Sequence, residues 1–123
     1  PRLQTFRSNW PGCSLINGKV VIAGGSEWSN GIVNSRTEVL DIESRTIQYG
    51  EDLATSRSYF HIVTIRTQGV ERALAMGGYG HPSVLDSVEE FDPDTLTWNP
   101  AAANLLEGGA GFGAVALPKD LIC

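Results

Sequence analysis

The stretch Gly77–Trp98, GGYGHPSVLDSVEEFDPDTLTW, decides the fold of this chain. Its opening glycine pair follows the apolar run Ala73–Met76 and lets the backbone leave a strand through conformations that other residues avoid. Asp92–Thr95 is read as a turn, because proline presets φ and aspartate caps its own backbone. The stretch therefore predicts short strands before and after this turn, at Ser87–Phe91 and Leu96–Trp98.

The same pattern occurs once before, about fifty residues earlier. Val21–Gly25 matches the apolar run with its glycine pair, and Thr37–Ile47 matches the two strands and their turn. Asp41 precedes Asp92 by 51 positions. The recurrence indicates an array of similar all-β units rather than a single hairpin.

A further strand opens each unit and occurs three times. Its copies are Trp10–Leu15, Phe60–Ile65 and Phe112–Leu117, which lie 50 and 52 positions apart. Asn17-Gly18 after the first copy predicts a tight hairpin, and Thr67-Gln68-Gly69 takes its place after the second. No helical period appears, so the chain is predicted to be all-β.

These features resemble the kelch repeat, in which a glycine pair closes one strand and an aromatic residue and a tryptophan mark two more around an Asp-Pro turn. In the second copy those positions are Gly77, Gly78, Phe91, Asp92, Pro93 and Trp98. The first copy departs from the family, with Leu40 and Ile47 in place of the usual tyrosine and tryptophan. The third copy has Gly109 where the others have arginine.

The resemblance implies four-stranded antiparallel blades of a kelch-type β-propeller in an incomplete ring. Repeat 1 spans about 7–56, repeat 2 about 57–108, and the start of repeat 3 about 109–123. Phe60, Phe91, Trp98 and Phe112 are then expected in the core between blades.

The number of blades leaves three explanations open, because propellers have at least four blades. The chain is a piece of a longer propeller, several copies assemble into one ring, or the two blades form an open pair. A trimer of two-blade chains would give six blades. We favour the piece of a longer propeller, since the sequence starts and ends within repeats. Further blades, from a longer chain or from self-assembly, are thus expected partners.

Composition excludes some classes of partner. The 123 residues are 41% hydrophobic and 19% charged, which indicates a folded soluble chain, and no apolar run reaches membrane length. A net charge of -5 without a lysine or arginine cluster argues against nucleic acid. The compartment stays open, with the cytoplasm slightly favoured over the extracellular space.

Cys13 is expected to be a small buried side chain, and whether it pairs with Cys123 is open.

Catalytic chemistry finds little support in the sequence. The two histidines, His61 and His81, have no further ligands at metal-binding spacing. Glu51-Asp52 and Glu89-Glu90 are interpreted as solvated turn and strand faces, and no nucleophile has a base beside it. We therefore predict no catalytic residue, cofactor or metal site. An enzymatic alternative follows only from the resemblance, since galactose oxidase and the sialic acid epimerases contain kelch repeats.

Protein interaction is the function that the resemblance favours, because propeller loops collect at one end of the channel. In kelch proteins that act as substrate adaptors, contacts come from the loop after the glycine pair and from the loop that enters the innermost strand. Carried over by position, the candidates are Arg7, Ser8, Asn9, Trp28, Ser29, Asn30, Arg57, Ser58, Tyr59, Tyr79 and His81. They are expected to contact a peptide or protein, with acidic peptides as a candidate class.

Two alternatives accompany this binding prediction. The arginines could instead tie neighbouring blades together through backbone carbonyls, and we weigh the two roles equally. A structural or cytoskeletal scaffold fits the same residues as a substrate adaptor does.

Overall fold

The computed structural model describes residues 2–3, 11–27 and 30–110. Within them the chain forms two four-stranded antiparallel sheets, which confirms the predicted all-β fold. Sheet 1 contains β1 (Gly12–Ile16), β2 (Lys19–Ala23), β3 (Thr37–Asp41) and β4 (Thr46–Tyr49); sheet 2 contains β5 (His61–Thr67), β6 (Val70–Met76), β7 (Val88–Asp92) and β8 (Thr97–Pro100). Within each sheet, every strand pairs with the next along the chain, and the two sheets do not close a ring.

Tight turns join the first two strands of each sheet. Asn17 and Gly18 have φ values of 47° and 73°, and Gln68 and Gly69 have 52° and 77°. Two successive left-handed residues match the twist of a two-residue hairpin, so both predicted hairpins are confirmed. The β5–β6 hairpin has seven residues in each strand, against five in β1–β2, and is therefore longer by two residues on each side.

Aspartate residues begin the turns between the last two strands of each sheet. Asp92 Oδ1 accepts hydrogen bonds from the backbone N–H groups of Asp94, at 2.9 Å, and Thr95, at 3.3 Å. Asp41 Oδ1 accepts from the N–H of Ser44 at 3.1 Å, and this backbone hydrogen bond is the main reason that the pKa of Asp41 is lowered. The predicted Asp-Pro turn is thus confirmed and has a counterpart in sheet 1.

The hydrophobic core lies between the two sheets. Its members are buried on facing sides of the sheets or in the connection between them: Ile16, Val21, Ala23, Val39, Leu53, Phe60, Ile62, Ala73, Ala75, Phe91 and Trp98. Trp98 Nε1–H also donates to Thr37 Oγ1 at 2.9 Å, from sheet 2 to sheet 1. The core positions predicted for Phe60, Phe91 and Trp98 are confirmed, whereas Phe112 is outside the described residues.

The opposite face of sheet 1, here called the outer face, is not packed against sheet 2. It carries the alternate apolar residues Cys13, Leu15, Val20, Ile22, Leu40, Ile47 and Tyr49, of which Leu15 is 57% exposed and Tyr49 is 45% exposed. The expectation that Cys13 is buried is therefore wrong. In the strand register Cys13 lies opposite Ile22, as Ile62 lies opposite Ala75 in sheet 2. The residue of sheet 2 that corresponds to Cys13 is therefore Ile62 and not Val63.

The connections divide the pair of sheets into two ends. The turn end carries the two hairpin turns and segments 42–45 and 93–96. The loop end carries the longer connections, whose described residues are 24–27, 30–36, 50–60, 77–87 and 101–110. Among the residues searched, no helix is long and apolar enough to cross a membrane.

Candidate interaction site

Backbone hydrogen bonds join the two kinds of loop at the loop end. Ser58 N–H donates to the Tyr79 carbonyl at 2.9 Å, and Tyr79 N–H donates to the Ser58 carbonyl at 2.7 Å. Gly25 N–H, from the glycine pair of sheet 1, donates to the Arg57 carbonyl at 2.9 Å. The segment that enters β5 is therefore fixed to the loops of both sheets.

Arg57 is fully buried, and its guanidinium binds both ends of loop 77–87. Nη1 donates to the carbonyls of Gly77, at 2.8 Å, and Ser87, at 3.0 Å. Nη2 donates to Ser87 Oγ at 3.0 Å and to Glu89 Oε2 at 2.8 Å. Burial lowers the pKa of Arg57 and Glu89 opposes this effect. The guanidinium therefore binds loop 77–87 and Glu89 of its own sheet, and these contacts do not tie the two sheets together.

Glu89 extends this arrangement to the connection between the sheets. Its carboxylate accepts hydrogen bonds from the backbone N–H groups of Ala54, at 2.6 Å, and Thr55, at 3.4 Å. The side chain is buried, so the interpretation of Glu89 as a solvated strand residue is wrong. A carboxylate that meets a guanidinium and two backbone donors has the partners that a buried charge requires.

Tyr79 and His81 form a contact within loop 77–87. Tyr79 Oη lies 2.9 Å from His81 Nδ1, and the two rings meet edge to face with centroids 6.0 Å apart. Tyr79 is half-buried and His81 is exposed. Tyr59 is 37% exposed and has a φ of 55°, directly after Ser58. Aromatic side chains thus face solvent beside the hydrogen-bonded junction of the two loops.

Asn30 stabilises the corresponding loop of sheet 1. Its Nδ2 donates to Glu27 Oε2 at 2.7 Å, and its Oδ1 accepts from the N–H of Ile32 at 2.9 Å. Gly31 N–H donates to the Glu27 carbonyl at 2.9 Å. Asn30 is exposed but its amide is occupied within the loop, which gives it a role in shaping that loop.

The predicted site residues fall into three groups. Arg57, Ser58, Tyr59, Tyr79 and His81 lie in two hydrogen-bonded segments, of which Arg57 and Ser58 are buried. Asn30 lies on the separate loop of sheet 1. The remaining candidates, Arg7, Ser8, Asn9, Trp28 and Ser29, are outside the described residues.

The sequence analysis did not predict that Glu89 and Ser87 bind the Arg57 side chain. The sequence did carry one signal for Glu89, because Glu38 occupies the position 51 residues earlier, in the first copy. Both side chains are buried in the structure. An acidic residue that recurs at the same strand position in two copies indicates a structural partner rather than a solvated face.

The turn end contains a cleft of about 360 Å³ between the sheets' turns. Three of its charged side chains make structural contacts: Glu71 accepts from Asn17 N–H at 2.7 Å, and Arg72 forms an ion pair with Glu90. Among the described residues no group of three or more His, Cys, Asp or Glu side chains could hold a metal ion.

Comparison with known proteins identifies the class of fold. The two four-stranded antiparallel sheets follow one another along the chain and pack face to face, as blades of a β-propeller do. Residues 72–104, which span most of sheet 2, match the family profile of the kelch motif. Sheet 2 therefore contains a kelch motif, and the predicted resemblance to the kelch repeat is confirmed for this part of the chain. No match was found among curated proteins.

Proposed function

We propose that the chain is a protein-interaction module that binds a peptide or protein segment at its loop end. The observation that carries the proposal is that the exposed Tyr59 and the contacting pair Tyr79 and His81 lie on two segments joined by the Ser58–Tyr79 backbone hydrogen bonds. Tyrosine combines apolar contact area with a polar tip, and loops held on a rigid scaffold are frequent binding elements. A surface that is already ordered also loses little conformational entropy on binding.

The charge of the ligand follows from which groups are accessible. Arg57 is buried, so it does not offer its guanidinium to an acidic peptide. The exposed side chains of the loop-end segments include the acidic Glu51, Asp52, Asp86 and Glu107. We therefore propose that aromatic contact supplies most of the affinity, and that a preference for acidic peptides depends on groups other than Arg57.

A selection experiment tests this function. Peptides would be selected from a random displayed library on the wild-type protein, and their affinities measured for Tyr59→Ala and Tyr79→Ala. Loss of a central aromatic contact is expected to weaken binding by about 2 kcal/mol, or thirtyfold. Ile42→Ala and Val70→Ala remove exposed apolar side chains at the turn end and serve as controls. Selected peptides that respond to the controls but not to the tyrosine variants would refute the proposal.

We also propose that the outer face of sheet 1 packs against a further blade. The support is the corresponding face of sheet 2, where Ile62, Ala75 and Phe91 are covered by sheet 1. By register, Cys13, Ile22 and Leu40 occupy these positions in sheet 1, and an apolar face of this kind is typical of an interaction surface.

Light scattering separates the two sources of that blade. If copies of this chain supply it, the particle mass is a multiple of the protomer mass and Leu15→Lys reduces it, because Leu15 lies exposed on the outer face. Ile32→Lys, at an exposed apolar residue in a loop, is the matched control. A single-protomer mass with poorly cooperative unfolding would assign the blade to a longer chain, whereas a single protomer that unfolds cooperatively would indicate an open pair of blades.

A further inference from the structure

Building on the proposed function, we infer that His81 binds an acceptor oxygen of the partner through its Nε2–H group, in an orientation and protonation pattern set by Tyr79. The partner group would be a carboxylate or a main-chain carbonyl. This assigns a specific hydrogen-bonding role to His81 within the proposed interaction site.

The Tyr79–His81 contact determines where the imidazole proton lies. A neutral imidazole has one donor nitrogen and one acceptor nitrogen, and the choice is set by the hydrogen bond that each nitrogen makes. Nδ1 lies 2.9 Å from Tyr79 Oη. Because the phenol is the better donor and the imidazole nitrogen the better acceptor, Tyr79 O–H donates to Nδ1. The proton of the ring is then on Nε2.

The loop holds this pair in place without a ligand. Both backbone groups of Tyr79 are hydrogen-bonded to Ser58, at 2.9 and 2.7 Å. Gly80 N–H donates to the Ser83 carbonyl at 3.1 Å, and Leu85 N–H donates to the Gly78 carbonyl at 2.7 Å. Since His81 is exposed and its Nδ1 is occupied, Nε2–H is the ring donor that remains for a partner.

The proton position can be measured on the free protein by long-range ¹H–¹⁵N NMR of the histidine rings. We expect one tautomer for His81, with the proton on Nε2, and a mixture of tautomers in Tyr79→Phe. His61 is the other histidine of the chain and is the internal control. A proton on Nδ1 in the wild type, or no change in Tyr79→Phe, would overturn the inference.

The recognition step is tested with the peptides selected from the random displayed library. His81→Phe removes the donor and keeps a ring, and should weaken binding about three- to tenfold. His81→Gln keeps an N–H donor and should restore part of the affinity. In the peptide, replacing each Glu by Gln and each Asp by Asn identifies a carboxylate acceptor; affinity that survives these changes identifies a main-chain carbonyl.

The outcomes distinguish the two proposals. Peptides that bind through Tyr59 but respond equally little to His81→Phe and His81→Gln would overturn the role of His81 and leave the interaction site intact. Peptides that respond to neither tyrosine nor histidine variants would overturn the proposed function, while the NMR measurement would still decide the tautomer.

Discussion

Arg57 Nη2 lies 2.8 Å from Glu89 Oε2, and the two side chains are 0% and 6% exposed. The pair links three segments, because Arg57 also binds both ends of loop 77–87 and Glu89 also binds the connection at Ala54 and Thr55. Arg57 Nε is buried with no hydrogen-bond partner among the described residues, and Glu89 is the acidic side chain that pairs with the guanidinium there. The loop that presents Tyr79 and His81 is therefore held from inside the protein.

Replacing Arg57 by methionine should lower the free energy of unfolding by about 3–5 kcal/mol, because it leaves the Glu89 carboxylate buried without its cation. Urea unfolding monitored by circular dichroism measures the change. Arg66→Met is the control, since the Arg66–Glu71 pair is exposed and lies 3.4 Å apart. Equal losses for the two variants would show that the Arg57–Glu89 pair contributes no more than a surface ion pair.

Replacing Trp98 by alanine should cost about 3–5 kcal/mol, because the ring is 6% exposed and packs against Phe91, with centroids 4.9 Å apart. The variant also leaves Thr37 Oγ1, in sheet 1, without the indole N–H. Thermal and urea unfolding give the change, with Tyr49→Ala as the control for loss of an exposed ring. An unchanged melting temperature for Trp98→Ala would contradict a stable interface between the sheets.

Sequence patterns predicted the features that depend on neighbouring residues. Asn17-Gly18 and Gln68-Gly69 both adopt the left-handed pair that a two-residue hairpin needs. Asp92 caps its own turn, as the Asp-Pro sequence indicated. Each of these sequence signals lies within four residues of the turn that it predicts, and the structure contains each predicted turn.

Features that depend on distant residues were not predicted. Glu89 is buried because Arg57, 32 positions earlier, provides its counter-ion, and a strand sequence does not reveal such a partner. Cys13 was assigned to a buried position by counting residues between copies. The β5–β6 hairpin has two more residue pairs than the β1–β2 hairpin, so a single spacing does not align the two copies along their whole length. The strand register places Cys13 on the outer face.

Replacing Gly24 by alanine should destabilise the protein more than replacing Gly18. Both residues have left-handed φ values, +66° and +73°, which cost an alanine about 1–2 kcal/mol. A Cβ at Gly24 would also collide with the Arg57 carbonyl, whereas a Cβ at Gly18 meets nothing within 4 Å. The difference between the melting temperatures of the two variants measures the close approach of the glycine pair to the segment entering β5. Identical losses would contradict that contact.

Acid should weaken the contact between the sheets that Glu71 provides. The Asn17 backbone N–H, which donates to Glu71 Oε2 at 2.7 Å, is the main reason that the pKa of Glu71 is lowered in the folded protein, with Arg66 adding to the effect. A lowered folded-state pKa gives stability that is present above the ordinary glutamate pKa and is lost as the pH falls through the lowered value.

Glu71→Gln cannot undergo this protonation, so its stability deficit relative to the wild type should be largest near neutral pH and should shrink as the pH falls below the ordinary glutamate range. Urea unfolding of both proteins across that range measures the deficit, with Glu107→Gln, at an exposed residue of segment 101–110, as the control. A deficit that stays constant at every pH would mean that the Glu71 charge does not stabilise the junction, and that its contact with Asn17 contributes only as a neutral hydrogen bond.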